Sequence, residues 1–163
     1  MTDSAIFRPK PAGPLRLEVG AMSDIAFSAV IRKVAQHPPF QTYSLNLMVD
    51  VLMGQLLHGA NLMAIRQGQL VAYGGWLRVD RLEAEAWRRD ESQIPPPNWV
   101  NGDAAISTII IADNPADLPA LLRGISHVCA GLPVYRMRAF IDGRPERKRQ
   151  PIIGRKQDFL GGS

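Results

Sequence analysis

Residues 105–112 read Ala-Ile-Ser-Thr-Ile-Ile-Ile-Ala, a segment rich in β-branched side chains. Such side chains favour extended backbone because they pack well on a pleated surface. The Ile109-Ile110-Ile111 triplet also lacks the apolar and polar alternation of a strand that has one face in water. The segment is therefore predicted to be a central β-strand covered on both faces.

A helix is predicted directly after this strand. Asn114-Pro115 or Asp117 can start it, and Gly131 is typical of a position just beyond a helix end. Its apolar side chains recur at helical spacing and comprise Leu118, Leu121, Leu122, Ile125, Val128 and Cys129. One face of this helix should therefore pack on the sheet.

Two more helices are predicted nearer the N-terminus. Ser23 can cap the first, which should end before the Pro38-Pro39 pair. Thr42 or Ser44 can cap the second. The apolar stripe of the second helix comprises Leu45, Met48, Val49, Leu52 and Leu56. This stripe predicts that the second helix is largely buried.

Turn-forming dipeptides predict two β-hairpins. Gln67-Gly68 separates the extended-looking segments 61–66 and 69–79, and its glycine can adopt the positive φ of a tight turn. Asp142-Gly143 has the same role within residues 134–153.

The remaining segments complete a single-domain α/β (α+β) fold. Residues 81–89 predict a short helix, and residues 90–103 predict an exposed, proline-rich loop. The order of helices and hairpins predicts a mixed, mostly antiparallel sheet flanked by helices. One domain is expected at residues 20–154, between an extended N-terminal arm at 1–19 and a flexible basic tail at 155–163.

The composition favours a folded protein of the cytoplasm. Hydrophobic residues make up 46% of the 163 residues and charged residues 21%, as is typical of globular proteins. The sequence lacks the run of about 20 apolar residues that a membrane-spanning helix needs, and its N-terminus lacks the apolar centre of a secretion signal. Cys129 is the only cysteine, so neither an intramolecular disulfide nor a cysteine-based metal site is expected.

Four segments carry a family resemblance. They are residues 38–43 (PPFQTY), 69–76 (QLVAYGGW), 98–103 (NWVNGD) and 109–112 (IIIA). In this order and spacing they resemble the toxin-activating lysine acyltransferases, which activate RTX toxins and hemolysins. The resemblance implies a GNAT-like acyltransferase architecture and transfer of an acyl group from acyl carrier protein to lysine.

The resemblance also identifies two altered catalytic positions. The family has a histidine in the first segment and an aspartate at the start of the fourth, where this chain has Phe40 and Ile109. Neither residue can transfer a proton, whereas a histidine, whose ordinary pKa is about 6.5, can take one from an amine at neutral pH. His37 is the candidate base because it lies three residues before Phe40. Asp103 and Asp113 are the nearest acids, and the alternative is a turn for Asp103 and a position next to a helix cap for Asp113.

A groove for the acyl chain or the pantetheine arm of the donor is a further implication. Tyr73, Trp76 and Ser107 are assigned to it, with Trp99 as another aromatic candidate, because aromatic walls are common in apolar pockets. Core packing is the alternative role for the aromatic residues. Acyl carrier protein or acyl-CoA is the expected donor, and no permanently bound cofactor or metal is expected.

Basic residues concentrate near the C-terminus, although the net charge is only +4. The predicted partner-binding basic patch consists of Arg136, Arg138, Arg147, Lys148 and Arg149. Such a patch suits an acidic protein such as acyl carrier protein. The sequence shows no clear nucleic-acid-binding motif. A protein acceptor and a homodimer are the other partners considered.

Two functions from different classes fit these observations. The first is an active lysine acyltransferase that uses displaced catalytic groups. The second is a non-catalytic binding or assembly module, in which Phe40 and Ile109 fill the former cleft with apolar surface. Loss of a general base alone lowers a rate about 10²- to 10⁴-fold. The two apolar replacements therefore favour the second function on chemical grounds.

Overall fold

Seven strands form one sheet in the computed structural model, which describes residues 13–138 and 147–156. They are β1 (Arg16–Glu18), β2 (Asn61–Arg66), β3 (Gln69–Val79), β4 (Ala104–Ala112), β5 (Pro133–Arg138), β6 (Arg147–Lys148) and β7 (Ile152–Ile153). The order across the sheet is β1-β2-β3-β4-β5-β6, and β7 also pairs with β5. Only β4 and β5 are parallel among the described strand pairs. The predicted mixed, mostly antiparallel sheet is confirmed.

Four helices flank the sheet in the described part of the chain. They are α1 (Asp24–Ala35), α2 (Leu45–Leu57), α3 (Arg81–Arg88) and α4 (Leu118–Val128). The Ser23 hydroxyl accepts a hydrogen bond from the Ala26 amide at the start of α1. The Ser44 hydroxyl does the same for the Leu47 amide, so Ser44 rather than Thr42 caps α2. A 3₁₀ turn at Pro115–Asp117, capped by Asn114, leads into α4.

The hairpin between β2 and β3 has the predicted turn. Gln67 and Gly68 both have positive φ, at 51° and 73°, as a two-residue turn matched to the strand twist requires. At the other end of the chain, β6 and β7 both pair antiparallel with β5. The predicted Asp142-Gly143 turn lies outside the described residues.

One extra residue in β4 keeps its apolar side chains on the correct faces. Gly75 of β3 pairs with Ile109, but the next residue, Trp76, pairs with Ser107, so Thr108 has no opposite residue. Such a bulge shifts the alternation of side chains by one position. Ile106 and Ile109, three residues apart, can therefore both point to the face opposite α4.

Three apolar clusters cover the two faces of the sheet. On one face, Trp76 packs with Leu121 and Ile125 of α4. On the other, Tyr73 and Ile109 pack beneath α1 and α2, while a third cluster packs beneath α3. Ile109 is 2% exposed, and β4 lies between β3 and β5. The predicted central strand is thus confirmed.

The predicted burial of α2 is wrong for one side of the helix. Met48, Leu52, Gln55 and Leu56 are buried, but Leu45 and Leu57 are 68% and 60% exposed. The physical reason is that a helix lying on one face of a sheet buries a single stripe, whereas α2 is apolar beyond that stripe. Leu45 belongs to the exposed side, although it lies in the predicted stripe.

The structure includes part of the predicted N-terminal arm and part of the predicted C-terminal tail. Residues 16–18 of the predicted N-terminal arm form β1, which pairs with β2. Arg155 and Lys156 of the predicted basic tail are exposed. The predicted domain bounds themselves stay predictions. Among the described helices, none is long and apolar enough to cross a membrane.

Candidate active site

The parallel strands β4 and β5 part and leave a wedge between them. They pair only from Ala105 with Val134 to Ser107 with Arg136, although β4 continues to Ala112. A cavity of about 260 Å³ opens beside this point, against α4. We call this cavity the wedge. Its lining includes Ser107, Ile110, Ile125, Val134, Arg123 and Arg136. It combines an apolar wall with two guanidinium groups.

The Ser107 hydroxyl belongs to the lining of the wedge, where β4 and β5 cease to pair. Its Oγ is buried and has no hydrogen-bond partner among the described residues. A buried polar atom without a partner costs about 1 to 3 kcal/mol. A ligand that brings a polar group into the wedge would remove this cost. Ser107 lines this cavity, and the groove role assigned to it from the sequence stays a prediction.

A buried hydrogen-bond network lies on the opposite face of the sheet, behind the bulge. The Tyr73 hydroxyl donates to Oε1 of Gln55 over 2.9 Å, and Nε2 of Gln55 donates to Oγ1 of Thr108 over 2.8 Å. Thr108 in turn donates to the Gly75 carbonyl. A Cβ on Gly75 would clash with the side-chain amide of Gln55, so a larger residue there would displace this amide from the network. The network fixes α2 to the bulged part of β4.

Replacement of Tyr73 by phenylalanine should destabilise the fold by about 1 to 3 kcal/mol, because Oε1 of Gln55 would be left buried without a donor. Urea unfolding of the variant measures this change. Tyr43→Phe is the matched control, since Tyr43 is 43% exposed. Equal stability of the two variants would show that the Tyr73 hydrogen bond contributes nothing.

Tyr73 and Trp76 do not share one groove, which corrects the sequence-based assignment. They are three residues apart in β3, so strand alternation points them to opposite faces of the sheet. Tyr73 is fully buried, and burial raises the pKa of its hydroxyl well above the ordinary range. Trp76 packs in the core against α4. Of the three predicted groove residues, only Ser107 lines the wedge.

Trp99 and Asp103 have packing and capping roles in the described structure. The Trp99 ring stacks on the His58 ring, with centroids 4.9 Å apart, and covers Gly54 of α2. The Asp103 carboxylate accepts a hydrogen bond from the Arg81 amide at the start of α3. The Trp-Val-Asn-Gly-Asp segment thus attaches the loop before β4 to two helices. The structural interpretation of Asp103 fits this contact.

His37 lies in a charged cluster with a carboxylate that sequence reasoning undervalued. Its Nε2 is 3.2 Å from Oδ1 of Asp113, and Nζ of Lys33 is 2.7 Å from Oδ2 of the same residue. Lys33 is in the last turn of α1, and Asp113 directly follows β4. Asp113 is also the neighbour of a helix cap, as the sequence suggested, because Asn114 supplies the cap. The alternation of side chains along β4 predicts this placement, since Asp113 is two residues beyond Ile111 and therefore lies on the same face, beneath α1.

Phe40 and Ile109 belong to the same apolar cluster, beneath α1 and α2. Phe40 is partly buried there and contacts the edge of Tyr43, at 5.5 Å between ring centroids. Neither side chain carries a titratable group. The His37 and Asp113 pair therefore lies on the same two chain segments as the altered positions. His37 is three residues before Phe40, and Asp113 is four after Ile109.

The residues of the predicted basic patch lie in different environments. Arg136 lines the wedge, whereas Nζ of Lys148 is bound to Asp90 over 2.6 Å and lies 4.6 Å from the Trp87 ring centroid. Arg147 and Arg149 are exposed, and the side chain of Arg138 lies outside the described residues. Lys148 thus fastens β6 to α3, and its charge is neutralised by Asp90.

Two buried titratable groups offer no acid or base chemistry near neutral pH. Burial raises the pKa of the Cys129 thiol to about 12, which excludes a nucleophilic thiolate. Burial and a hydrogen bond to Glu85 raise the pKa of Tyr135 to about 12. Among the described residues, no group of three or more His, Cys, Asp or Glu side chains could hold a metal ion.

Similarity to known proteins concerns the fold. No protein-family model and no curated protein matches the sequence. The loading GNATL domain of CurA from Lyngbya majuscula is similar in structure, with a TM-score of 0.55 and 10% identity, over 82% of this chain and 70% of that chain. Diaminobutyrate acetyltransferase EctA from Paenibacillus lautus, solved with L-2,4-diaminobutyric acid and coenzyme A, has a TM-score of 0.52 and 11% identity, over 78% and 68%. The fold is therefore that of GNAT-like acyltransferases.

Proposed function

We propose that this protein transfers an acyl group from a pantetheine thioester to an amine. The observation that carries the proposal is the wedge between β4 and β5, where an apolar wall adjoins the unpartnered Ser107 hydroxyl. A pantetheine arm is slender and carries amide groups, so it matches both features. The GNAT-like fold and the coenzyme A bound to the EctA neighbour support a thioester donor.

The wedge fits the arm of such a donor better than it fits a bulky ligand. Its volume of about 260 Å³ is below the roughly 300 to 1,000 Å³ of common ligand pockets. Ile110, Ile125 and Val134 can exclude water from the acyl end, and Ser107 can bond one amide of the arm. These residues bind and orient the donor and take no part in proton transfer.

His37 is the candidate base of the proposed reaction, although it lies on the α1 side of the sheet and the wedge opens on the α4 side. An amine must lose a proton to become nucleophilic, because an alkyl ammonium has an ordinary pKa of about 10.4. If Nε2–H donates to Asp113, as the 3.2 Å separation allows, Nδ1 is left to accept that proton. The amine nitrogen then forms the amide bond as the bond from carbon to sulfur breaks. The leaving thiolate takes up the second proton, which the nitrogen loses as the amide forms.

The sequence resemblance suggests a specific acyl donor and a specific acceptor. The donor would be acyl carrier protein, and the acceptor would be a lysine of a protein such as a protoxin. Arg147 and Arg149, both exposed, are available to bind an acidic carrier protein.

Intact-mass measurement tests the proposed transfer. The protein is incubated with a lysine-containing acceptor protein and either acylated carrier protein or acyl-CoA. A mass increase of one acyl group on the acceptor, dependent on this protein, supports transfer. If pantetheine thioesters bind but no acceptor gains mass, catalysis is excluded for those substrates.

A non-catalytic binding module is the second candidate function. It is favoured by the apolar cluster that contains Phe40 and Ile109, since both positions of the family's proton-transfer groups are occupied by carbon side chains. Such a module would bind the donor in the wedge without turnover. Binding without a mass increase is the result expected from it.

Ser107→Ala should change stability and binding in opposite directions. Removal of a buried hydroxyl without a partner should leave the free energy of unfolding unchanged or raise it. Affinity for pantetheine should fall about three- to tenfold, because one hydrogen bond to the arm is lost. Urea unfolding and isothermal titration calorimetry measure the two effects. Ser92→Ala, at an exposed position, is the control, and equal affinity of both variants would remove Ser107 from the binding site.

A further inference from the structure

The charge of the wedge suggests an anionic group on its ligand. Arg123 of α4 and Arg136 of β5 both contribute to the lining. Arg123 is exposed and Arg136 is half-buried. Among the described lining residues there is no carboxylate that could neutralise them. The wedge therefore has two cations next to an apolar wall.

The start of α4 is unsuited to bind an anion, although helix N-termini often do so. The amides of Asp113, Ala116, Asp117 and Leu118 already donate to protein oxygens. Pro115 and Pro119 have no amide hydrogen. Asp113 and Asp117 also place two carboxylates at this junction. Both carboxylates are paired, with Lys33 and with Arg66, so a diphosphate would meet amides and cations that already bond protein groups.

From this contrast we infer that Arg123 and Arg136 form a subsite for the single phosphate of a phosphopantetheine arm. The inference rests on the proposed function, because it names the part of the donor that the wedge recognises. Guanidinium groups bind phosphate through charge-assisted hydrogen bonds, and two of them can hold one phosphate. The nucleotide half of coenzyme A would gain little from the protein, since the amides and cations at the helix start already bond protein groups.

Calorimetric titration with pantetheine, 4′-phosphopantetheine, coenzyme A and phosphopantetheinylated carrier protein tests the inference. Phosphopantetheine should bind about tenfold or more tightly than pantetheine, which corresponds to one charge-assisted contact. Coenzyme A should bind no more than a few-fold more tightly than phosphopantetheine. In the Arg123→Gln, Arg136→Gln double variant the ratio of the affinity for phosphopantetheine to that for pantetheine should fall to about one. Arg32→Gln, at an exposed position on α1, is the matched control.

The outcomes separate this inference from the proposed function. Equal binding of pantetheine and phosphopantetheine overturns the phosphate subsite but leaves the wedge as the site of the arm. A phosphate advantage that survives in the double variant assigns the phosphate to other residues and also overturns the inference. If none of the ligands binds, the proposed function fails together with the subsite. Circular dichroism of the variants verifies that they are folded.

Discussion

His37→Ala is expected to lower the rate of acyl transfer about 10²- to 10⁴-fold, the usual effect of losing a general base. The reason is that the Nε2 contact with Asp113, at 3.2 Å, orients the imidazole and leaves Nδ1 to take the proton of the amine. Binding of pantetheine should not change, because His37 does not line the wedge. Initial rates from the intact-mass assay measure the loss.

Two companion variants distinguish a catalytic histidine from a structural one. His58→Phe removes another imidazole but preserves an aromatic ring against Trp99, so its rate should match that of the wild type. Asp113→Asn keeps the shape of the side chain but removes its negative charge, which weakens the hydrogen bond to the His37 imidazole. It should lower the rate less than His37→Ala. A His37→Ala protein with full activity would remove this histidine from the reaction and leave the non-catalytic module as the better function.

Removal of one partner of the Arg66 and Asp117 ion pair is expected to cost about 3 to 5 kcal/mol of stability. The two side chains form two hydrogen bonds, of 2.9 and 2.8 Å, and are only 11% and 7% exposed. Asp117→Leu or Arg66→Met would therefore leave one buried charge unpaired. The double variant should recover most of the loss, because it leaves no charge behind. Urea unfolding of the two single variants and the double variant gives the coupling free energy of the pair. Additive losses would show that the pair is not coupled.

The same pair makes stability depend on pH in the acid range. The hydrogen bonds from Arg66 hold the pKa of Asp117 below the ordinary value of an aspartate. A depressed pKa in the folded state stabilises the protein above the ordinary aspartate pKa of about 4, and this contribution is lost as the pH falls through the folded-state pKa. Unfolding free energies between pH 6 and pH 2 should therefore fall more steeply for the wild type than for Asp117→Leu.

Local sequence signals were sufficient for most elements of the fold. The cap at Ser23, the Gln67-Gly68 turn and the β-branched run before Ala112 each act over a few neighbouring residues, and each predicted its element. β1 was not predicted because its three residues gain their structure from pairing with β2, a contact distant in sequence. The exposed side of α2 was missed because apolar spacing alone does not reveal how much of a helix the sheet covers.

The candidate site depends more on contacts between distant residues. His37 and Asp113 are 76 positions apart in sequence, and only the packing of α1 beside the end of β4 brings them together. Ser107 was assigned to the groove from the resemblance, but its pairing with Arg136 and the parting of the strands there required the structure. Tyr73 and Trp76 are assigned to one groove because both are aromatic, whereas the pleat of the strand separates them.

Thr108 affects how this strand can be compared with others. Thr108 is an extra residue opposite the junction of Gly75 and Trp76. Each side chain beyond it therefore points to the face opposite to the one that regular strand alternation predicts. An ungapped alignment with a homologue that lacks the extra residue would equate core positions beneath α1 with positions beneath α4. At identities near 10%, gap placement at this one site therefore decides which residue of a relative corresponds to Ile109.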